Sequence, residues 1–452
     1  MEVSEMNYDK ELFIKHLQGM VQIPTVSSAD PEKTRVEEFL KLHAYLEEAY
    51  PLLHKTFKKE IIGKCGLLYT WKGTGQSGKL PLLMAAHQDV VPEGDHSMWK
   101  YPPFSAHVDE DGVMWGRGCT DSKCNMQAYM DALEMLIADG FVPDYDIYLA
   151  FGYNEEIMGG PGAACQIMHD ELKERGIEFG MVIDECGGIS EIDGKLVATI
   201  VTCEKGYADY EFCVEDAGGH SAFPPVHTAL GKIGNAVWQL ENHRMEAKLT
   251  APVIEEMKAL APFTPGRLGE LYRDPKANWE ELKALAETDK KVNQMVRTTT
   301  AATMAAGSDQ ANILPERATV VTNSRLLPGE TLEDLEAHFA KVLPEEVKVR
   351  LIKGHNPPAI STTDSYGYRL LTEIFTGKYP GITVMPSMLA GGTDSRYYCD
   401  LTPTKSVYRV TGIKHSDRTA GAHQVNEHID CNMIPDNVDF YVRIFKGYGA
   451  AK

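Results

Sequence analysis

Three apolar runs in the first half of the chain end in side chains that can hold a metal ion or move a proton. "LPLLMAAH" (80–87) leads into His87 and Asp89. "YDIYLAFGY" (145–153) leads into Glu155 and Glu156, and "FGMVID" (179–184) leads into Asp184 and Glu185. Between the first two runs, "GRGCTDSK" sets Asp121 at a glycine-rich turn that opens a helical pattern. One imidazole and several carboxylates gathered at one edge would repel one another without a cation. Zinc accepts nitrogen and oxygen ligands, and two neighbouring metals can share one carboxylate and activate one water. Each motif alone has an ordinary use as a polar loop, a solvated turn or a helix cap. Their order and their common place after apolar runs carry the argument for metal-assisted hydrolysis.

The elements that would position these groups follow from the patterning. The three runs are continuously apolar, as parallel strands covered on both faces are. Amphipathic stretches alternate with them. Val36, Phe39, Leu40, His43 and Leu46 mark one helix. Another follows "TDSK" and runs to the Ala-Asp-Gly stop at 138–140, with Thr120 or Asp121 as its cap. Such alternation predicts an α/β sheet with helices on both faces, and open α/β sheets bind ligands beyond the carboxyl ends of their strands. The texture changes after about residue 205. "ADYEFCVE" (208–215) reads as a half-exposed strand, and "DAGGHSAFPP" as a turn. Ala229, Leu230, Ile233, Ala236, Val237 and Leu240 have helical spacing, and residues 250–300 look helical and irregular. "RATVVTNSRLLPG" (317–329) is a strand, Thr331 to Asp334 a capping-box-like helix start, and "VKVRLI" (347–352) a further strand. This order predicts a small α+β domain of ferredoxin-like type at 206–356, inserted into a larger domain made of 1–205 and 357–452.

Composition bounds the partners. Among 452 residues, 65 Asp and Glu against 45 Lys and Arg give a net charge of −20. That acidity argues against nucleic acid or an anionic membrane surface as a partner. No apolar stretch reaches the roughly 18 residues that a membrane span needs. The first twenty residues carry mixed charge without an apolar signal core. Nine scattered cysteines without a CxxC pair fit the reduced thiols of a cytoplasm.

Across nearly its whole length the chain resembles the zinc-dependent aminoacylase/carboxypeptidase family. That family includes acetylornithine deacetylase, succinyl-diaminopimelate desuccinylase, glutamate carboxypeptidase and dipeptidases, and the likeness is strongest to the carboxypeptidase S-like branch. The stretches that carry it are "IPTVS" (23–27), "HQDVVP", "WGRGCTDSK", "NEE", "RGIEFGMVIDECGG", "GGHSAFPP", "VRTTTAATM", "NILPE", "NSRLLPG", "GGTDSR" and "GAHQVNE" (421–427). The resemblance implies a mixed central sheet with helices on both faces, and an inserted lid that pairs two chains into a homodimer. It implies two zinc ions per chain, with cobalt or manganese as substitutes. His87 and Asp184 would bind one ion, Glu156 and His423 the other, and Asp121 would bridge them. Glu185 is the alternative to Asp184. Asp89 would hold the His87 imidazole in its metal-binding tautomer, and Glu155 would be the general base. His220 would reach a substrate oxyanion, in the partner's site of a dimer. Asn312, Arg325, Gly392 and Thr393 would contact substrate, Arg325 by gripping a carboxylate.

The implied activity is hydrolysis of an amide bond in N-acyl amino acids or small peptides with a free carboxylate, by water that Glu155 deprotonates. A dipeptidase acting on free-amino substrates is the alternative, and a non-catalytic relative is set against it by the presence of every ligand position. The chain departs from the family at Cys124 and Cys186, where glycine is usual. Each is expected to be a small buried residue in the glycine space, or a thiol close to the metals.

Overall fold

The structure is a computed structural model that describes residues 8–28, 30–157 and 162–450, so the first seven residues of the N-terminal stretch fall outside it. The chain divides into two units. One takes the chain up to Thr202, then Ser361–Pro386 and everything from Thr393, and the other takes Cys203–Ile360 and Ser387–Gly392.

The first unit is built on a mixed sheet. Side by side in its centre lie Gly66–Trp71, Ile147–Gly152, Leu82–His87, Met181–Asp184 and Val407–Arg409. Leu82–His87 is parallel to both Ile147–Gly152 and Met181–Asp184, and Gly66–Trp71 is antiparallel to Ile147–Gly152. Every residue of Leu82–His87 and Ile147–Gly152 is buried, which is why both read as unbroken apolar runs. Among the helices that pack on this core are Lys123–Ala138 and Met433–Ala450, each buried along most of its length.

Two local expectations change. In the helix Val36–Ala49 the buried stripe is Phe39, Leu42, His43 and Leu46, while Leu40 is exposed. The 3.6-residue period puts 39, 42, 43 and 46 on one face and turns Leu40 outward. The helix Lys123–Ala138 has Ser122 at its N-cap without a side-chain cap bond, so neither Thr120 nor Asp121 caps it. Both side chains are used elsewhere, as described below. Its C-terminus follows the expectation, with Asp139 at the C-cap and Gly140 at a φ of 78°.

The second unit contains a four-stranded antiparallel sheet ordered Thr299–Ala306, Arg317–Leu326, Gly206–Glu215, Lys348–His355. Helices Ala229–Asn242 and Leu332–Val342 supply Ile233, Leu240, Leu335 and Phe339 to a core with Tyr210, Phe212 and Val320. Strand–helix–strand–strand–helix–strand is the ferredoxin-like order. Thr331 and Asp334 close the capping box that starts the second helix. Between the first helix and the sheet run Ala251–Leu260, Gly266–Arg273, Trp279–Leu285 and Lys290–Val296, with their own core of Val253, Met257, Leu271, Leu282 and Val292. Thr299–Ala306 was not expected as a strand. It is an edge strand of Thr, Ala and Met, mostly exposed, so it shows no buried alternation.

Candidate metal centre

The register of the sheet brings the strand ends together. His87 pairs with Gly152, and Leu82–Met84 pair with Met181–Ile183. The segments that follow therefore leave the same edge of the sheet. The His87 ring, 1% exposed, donates from Nδ1 to the Asp89 carbonyl at 2.8 Å. That bond turns Nε2 toward Asp121 Oδ1 at 3.1 Å and Glu185 Oε2 at 3.3 Å. On the other side of Asp121, His423 Nε2 lies 3.2 Å from Oδ2 and 2.9 Å from Glu156 Oε2. Asp121 thus stands between the two imidazoles. Its release from helix capping is what allows this.

Asp89 organises the turn after the second strand. Its carboxylate accepts the Ser27 hydroxyl at 2.6 Å and the backbone N–H groups of Glu155 and Glu156 at 3.1 Å each. The tautomer of His87 is set mainly by the Asp89 backbone carbonyl, since the Asp89 carboxylate lies farther from Nδ1, at 3.5 Å. Asp89 therefore does two jobs, one with its main chain and one with its side chain. With both amides fixed, the adjacent carboxylates diverge. Glu156 meets His423, and Glu155 lies with His87 and Glu185 in a group whose ligand atoms are all within 4.8 Å of one another. His87, Asp121 and Glu156 form a second such group.

The electrostatics call for a cation. Burial pushes Glu155 up, and the charges of Glu185, Asp394 and Glu156 add to it against the opposing His87. Burial pushes Glu185 up to about 8. For His87 burial works downward, but Glu185, Asp121 and Asp89 outweigh it and raise the imidazole. Hydrogen bonds to Asp121 and Glu156 push His423 up to about 10. Glu185 Oε2 is buried and has no hydrogen-bond partner among the described residues. Imidazole nitrogens and carboxylate oxygens at this spacing, one of them orphaned, suit a divalent cation such as zinc.

Asp184 and Glu185 face different ways. Asp184 accepts the N–H of Glu185 at 2.9 Å on one oxygen and that of Ser395 at 2.7 Å on the other. Glu185 is the one of the pair that contacts His87. Cys124 is buried and donates its thiol to the Thr120 carbonyl at 3.1 Å, filling the space expected of a small residue. Cys186 adopts a φ of 76°, the region that favours glycine.

Glu427 was not singled out from the sequence, yet it holds the loop that presents Asp121. Its fully buried carboxylate accepts Arg117 Nη1 at 2.8 Å, Gly118 N at 3.0 Å, Thr120 N and Oγ1 at 2.8 Å each, and Asp121 N at 3.2 Å. The one available signal was its place four residues after His423 in "AHQVNE".

The remaining candidates belong mainly to the second unit. His220 is exposed in the two-residue strand Gly219–His220, paired with Ile313–Leu314, and its Nδ1 accepts the Ala222 N–H. Asn312 lines the same open depression. Arg325 lies over the Tyr207 ring at 4.7 Å and donates from Nε to Asn323 at 3.1 Å. Gly392 ends the Ser387–Gly392 segment of that unit, whereas Thr393 opens the next stretch of the first. The Thr393 side chain is buried and its hydroxyl bonds Ser395 at 2.6 Å.

Comparison with known proteins adds to this geometry. Residues 83–447 match the model of Peptidase family M20/M25/M40. The chain is similar to Carboxypeptidase S of Saccharomyces cerevisiae, at 32% identity over 92% of this chain and 81% of that protein. It is similar to N-fatty-acyl-amino acid synthase/hydrolase PM20D1.1 of Danio rerio, at 31% identity over 97% of this chain and 86% of that protein. Its fold matches the M20 family metallo-carboxypeptidase Sso-CP2 from Sulfolobus solfataricus with a TM-score of 0.73 at 19% identity, covering 97% of this chain and 99% of that one.

Proposed function

The chain belongs to Peptidase family M20/M25/M40, a metal-dependent family of hydrolases, and from that premise we propose that it uses two zinc ions to cleave the amide bond of N-acyl amino acids or short peptides bearing a free carboxylate. The observation that carries the proposal is the pair of diverging carboxylates, Glu155 and Glu156, held by Asp89 beside His87, Asp121, Glu185 and His423.

His87 and Glu185 would hold one ion, Glu156 and His423 the other, and Asp121 would serve both. Bound there, the metals supply Lewis-acid polarisation of the amide carbonyl and acidify the attacking water. Glu155 takes the proton from that water and later gives it to the leaving amine. Asp89 keeps Glu155 and Glu156 apart through its bonds to their amides. His87 keeps Nε2 free of its own proton because Nδ1 is committed to a carbonyl.

This assigns the ligand to Glu185 in place of Asp184. Glu185→Gln should lose close to half of the bound metal, while Asp184→Asn should keep it and mainly loosen the turn at Ser395. Elemental analysis of the two purified variants decides the matter, and the reverse pattern would return the role to Asp184.

Arg325 would grip the substrate carboxylate, since stacking on Tyr207 and the bond to Asn323 hold its guanidinium in one orientation. The test of the whole proposal is a panel of N-acetyl, N-long-chain-acyl and free dipeptide substrates, each as free acid and as amide, with metal-loaded protein. Arg325→Ala should raise KM for free acids by about tenfold or more and leave the amides unchanged. Equal effects on both would remove Arg325 from that role.

His220 would stabilise the oxyanion in the site of a partner chain. Exposed Phe223, Val226 and Trp238 in the second unit are suited to bury apolar surface between two chains. Sedimentation is expected to show a dimer, and a monomer at assay concentration would end the trans role.

A further inference from the structure

Residues 20–27, "MVQIPTVS", carry no imidazole, thiol or carboxylate, yet they are fastened to two stretches of the candidate metal centre. On the His87 side, the Thr25 hydroxyl donates to the Gln88 carbonyl at 2.6 Å, and the Val90 N–H donates to the Thr25 carbonyl at 3.1 Å. Val26 and Val90 form a parallel bridge. On the Asp121 side, Lys123 opens the helix Lys123–Ala138. Its Nζ donates to the Met20 carbonyl at 2.9 Å and to the Ile23 carbonyl at 2.7 Å. Thr25 and Lys123 are both fully buried. The segment is thus a strap that ties the two stretches together from inside the protein.

Ser27 stands at the end of this strap and is 4% exposed. A serine in an irregular segment readily bonds its own neighbouring backbone. This one donates instead to Asp89 Oδ2 at 2.6 Å, across 62 positions of sequence. That length is typical of a hydroxyl on a charged oxygen, about 2.5–2.7 Å. Asp89 is fully buried, where a carboxylate needs donors around it. Its Oδ2 also accepts the Glu156 N–H, and its Oδ1 accepts the Glu155 N–H. Those two donors come from one turn, whereas the hydroxyl comes from a separate element. A third donor of that kind fixes the plane of the carboxylate. With the plane set, the two amides and the side chains beside them keep their separation.

We infer that Ser27 is a positioning residue for the proposed general base: its hydroxyl orients the Asp89 carboxylate, and that carboxylate orients Glu155 and Glu156. This rests on the proposed hydrolase reading and deepens it, since it makes the N-terminal strap part of how the site works.

The test is steady-state kinetics of Ser27→Ala and Ser27→Thr on metal-saturated full-length protein, with the substrate that wild type turns over best. Ser27→Ala should lower kcat by about tenfold or more and leave KM unchanged. Ser27→Thr keeps the hydroxyl and should recover most of the lost kcat. A role in packing alone would show as earlier urea unfolding at wild-type kcat, and that result would overturn the inference. A Ser27→Thr variant as slow as Ser27→Ala would overturn it too. If Ser27→Ala does not fold, Ser27→Cys offers a weaker donor at the same position and should give a smaller loss of kcat. Wild-type kcat in that variant would count against the inference in the same way. If wild type turns over no substrate, the hydrolase reading falls separately, and zinc titration judges the strap. Ser27→Ala should then bind zinc about tenfold or more weakly than wild type, because Glu156 shares Asp89 Oδ2 with the hydroxyl. Ser27→Thr should restore that affinity, and equal affinity in wild type and Ser27→Ala overturns the inference.

Discussion

Glu155→Gln is expected to lower kcat by about 10²–10⁴-fold while both metal ions stay bound. The substitution keeps the shape of the side chain and the backbone N–H that Asp89 accepts, so the turn should not move. What it removes is the ability to take a proton and return it. The neighbourhood makes Glu155 the member of the pair best suited to that exchange. It is buried, and burial disfavours its ionised form, which suits a group that takes up a proton and returns it. Glu156 is committed to His423 at 2.9 Å. Changing Glu156 should therefore cost metal first and rate as a consequence. Single-turnover assays with parallel elemental analysis separate the two. Near-normal turnover of the Glu155 variant with full metal would show that the proton moves by another route.

The sequence carried the part of this site that lies on regular structure. Buried parallel strands force unbroken apolar runs, so their ends, and His87, Glu155 and Asp184 after them, could be read directly. At the end of Met181–Asp184 the next question was which of two adjacent acids faces the centre. Successive side chains on a strand point to opposite sides, and composition cannot say which side is which. The Ser395 N–H that the Asp184 carboxylate accepts comes from distant sequence. His423 was reached through the likeness to known motifs, since its φ of 61° places it on an irregular loop without periodicity. Thr299–Ala306 went unseen because an exposed edge strand need not alternate. The capping box at Thr331 and the helical spacing from Ala229 to Leu240 were legible, since both are local signals.

Glu427 escaped for a different reason: its role exists only in three dimensions. It sits four residues beyond His423 and clasps the loop that carries Asp121, so one carboxylate ties two parts of the centre that are some three hundred residues apart in sequence, with Glu427 and Asp121 separated by 306 positions. Its own main chain adds to this, since the Glu427 carbonyl accepts the Gly116 N–H at 3.0 Å. The loop around it is tightly constrained. Gly421 has a φ of 90°, and a Cβ there would come within 3.0 Å of the Glu427 Cα. Asn426 has a φ of 62° and accepts the Lys100 N–H at 2.6 Å.

Glu427→Ala would leave the buried Arg117 guanidinium without its anion, with the Trp99 ring at 5.2 Å as the remaining cation–π contact. Breaking a buried pair in this way costs about 3–5 kcal/mol, a large share of a stability that is usually about 5–15 kcal/mol. Glu427→Gln keeps the volume, but its amide N–H₂ must face N–H donors of Gly118, Thr120 or Arg117. A milder loss of about 1–3 kcal/mol follows. Both variants should also weaken metal binding by about 10–100-fold, because the loop that carries Asp121 loses its brace. Urea unfolding reads the first effect and metal titration the second. If Glu427→Gln unfolds earlier but binds metal with wild-type affinity, the carboxylate stabilises the fold without setting the geometry of the centre. If it loses affinity beyond what its small loss of stability explains, Glu427 is a positioning residue for Asp121, and the centre depends on a loop-to-loop clasp as much as on the strands beneath it.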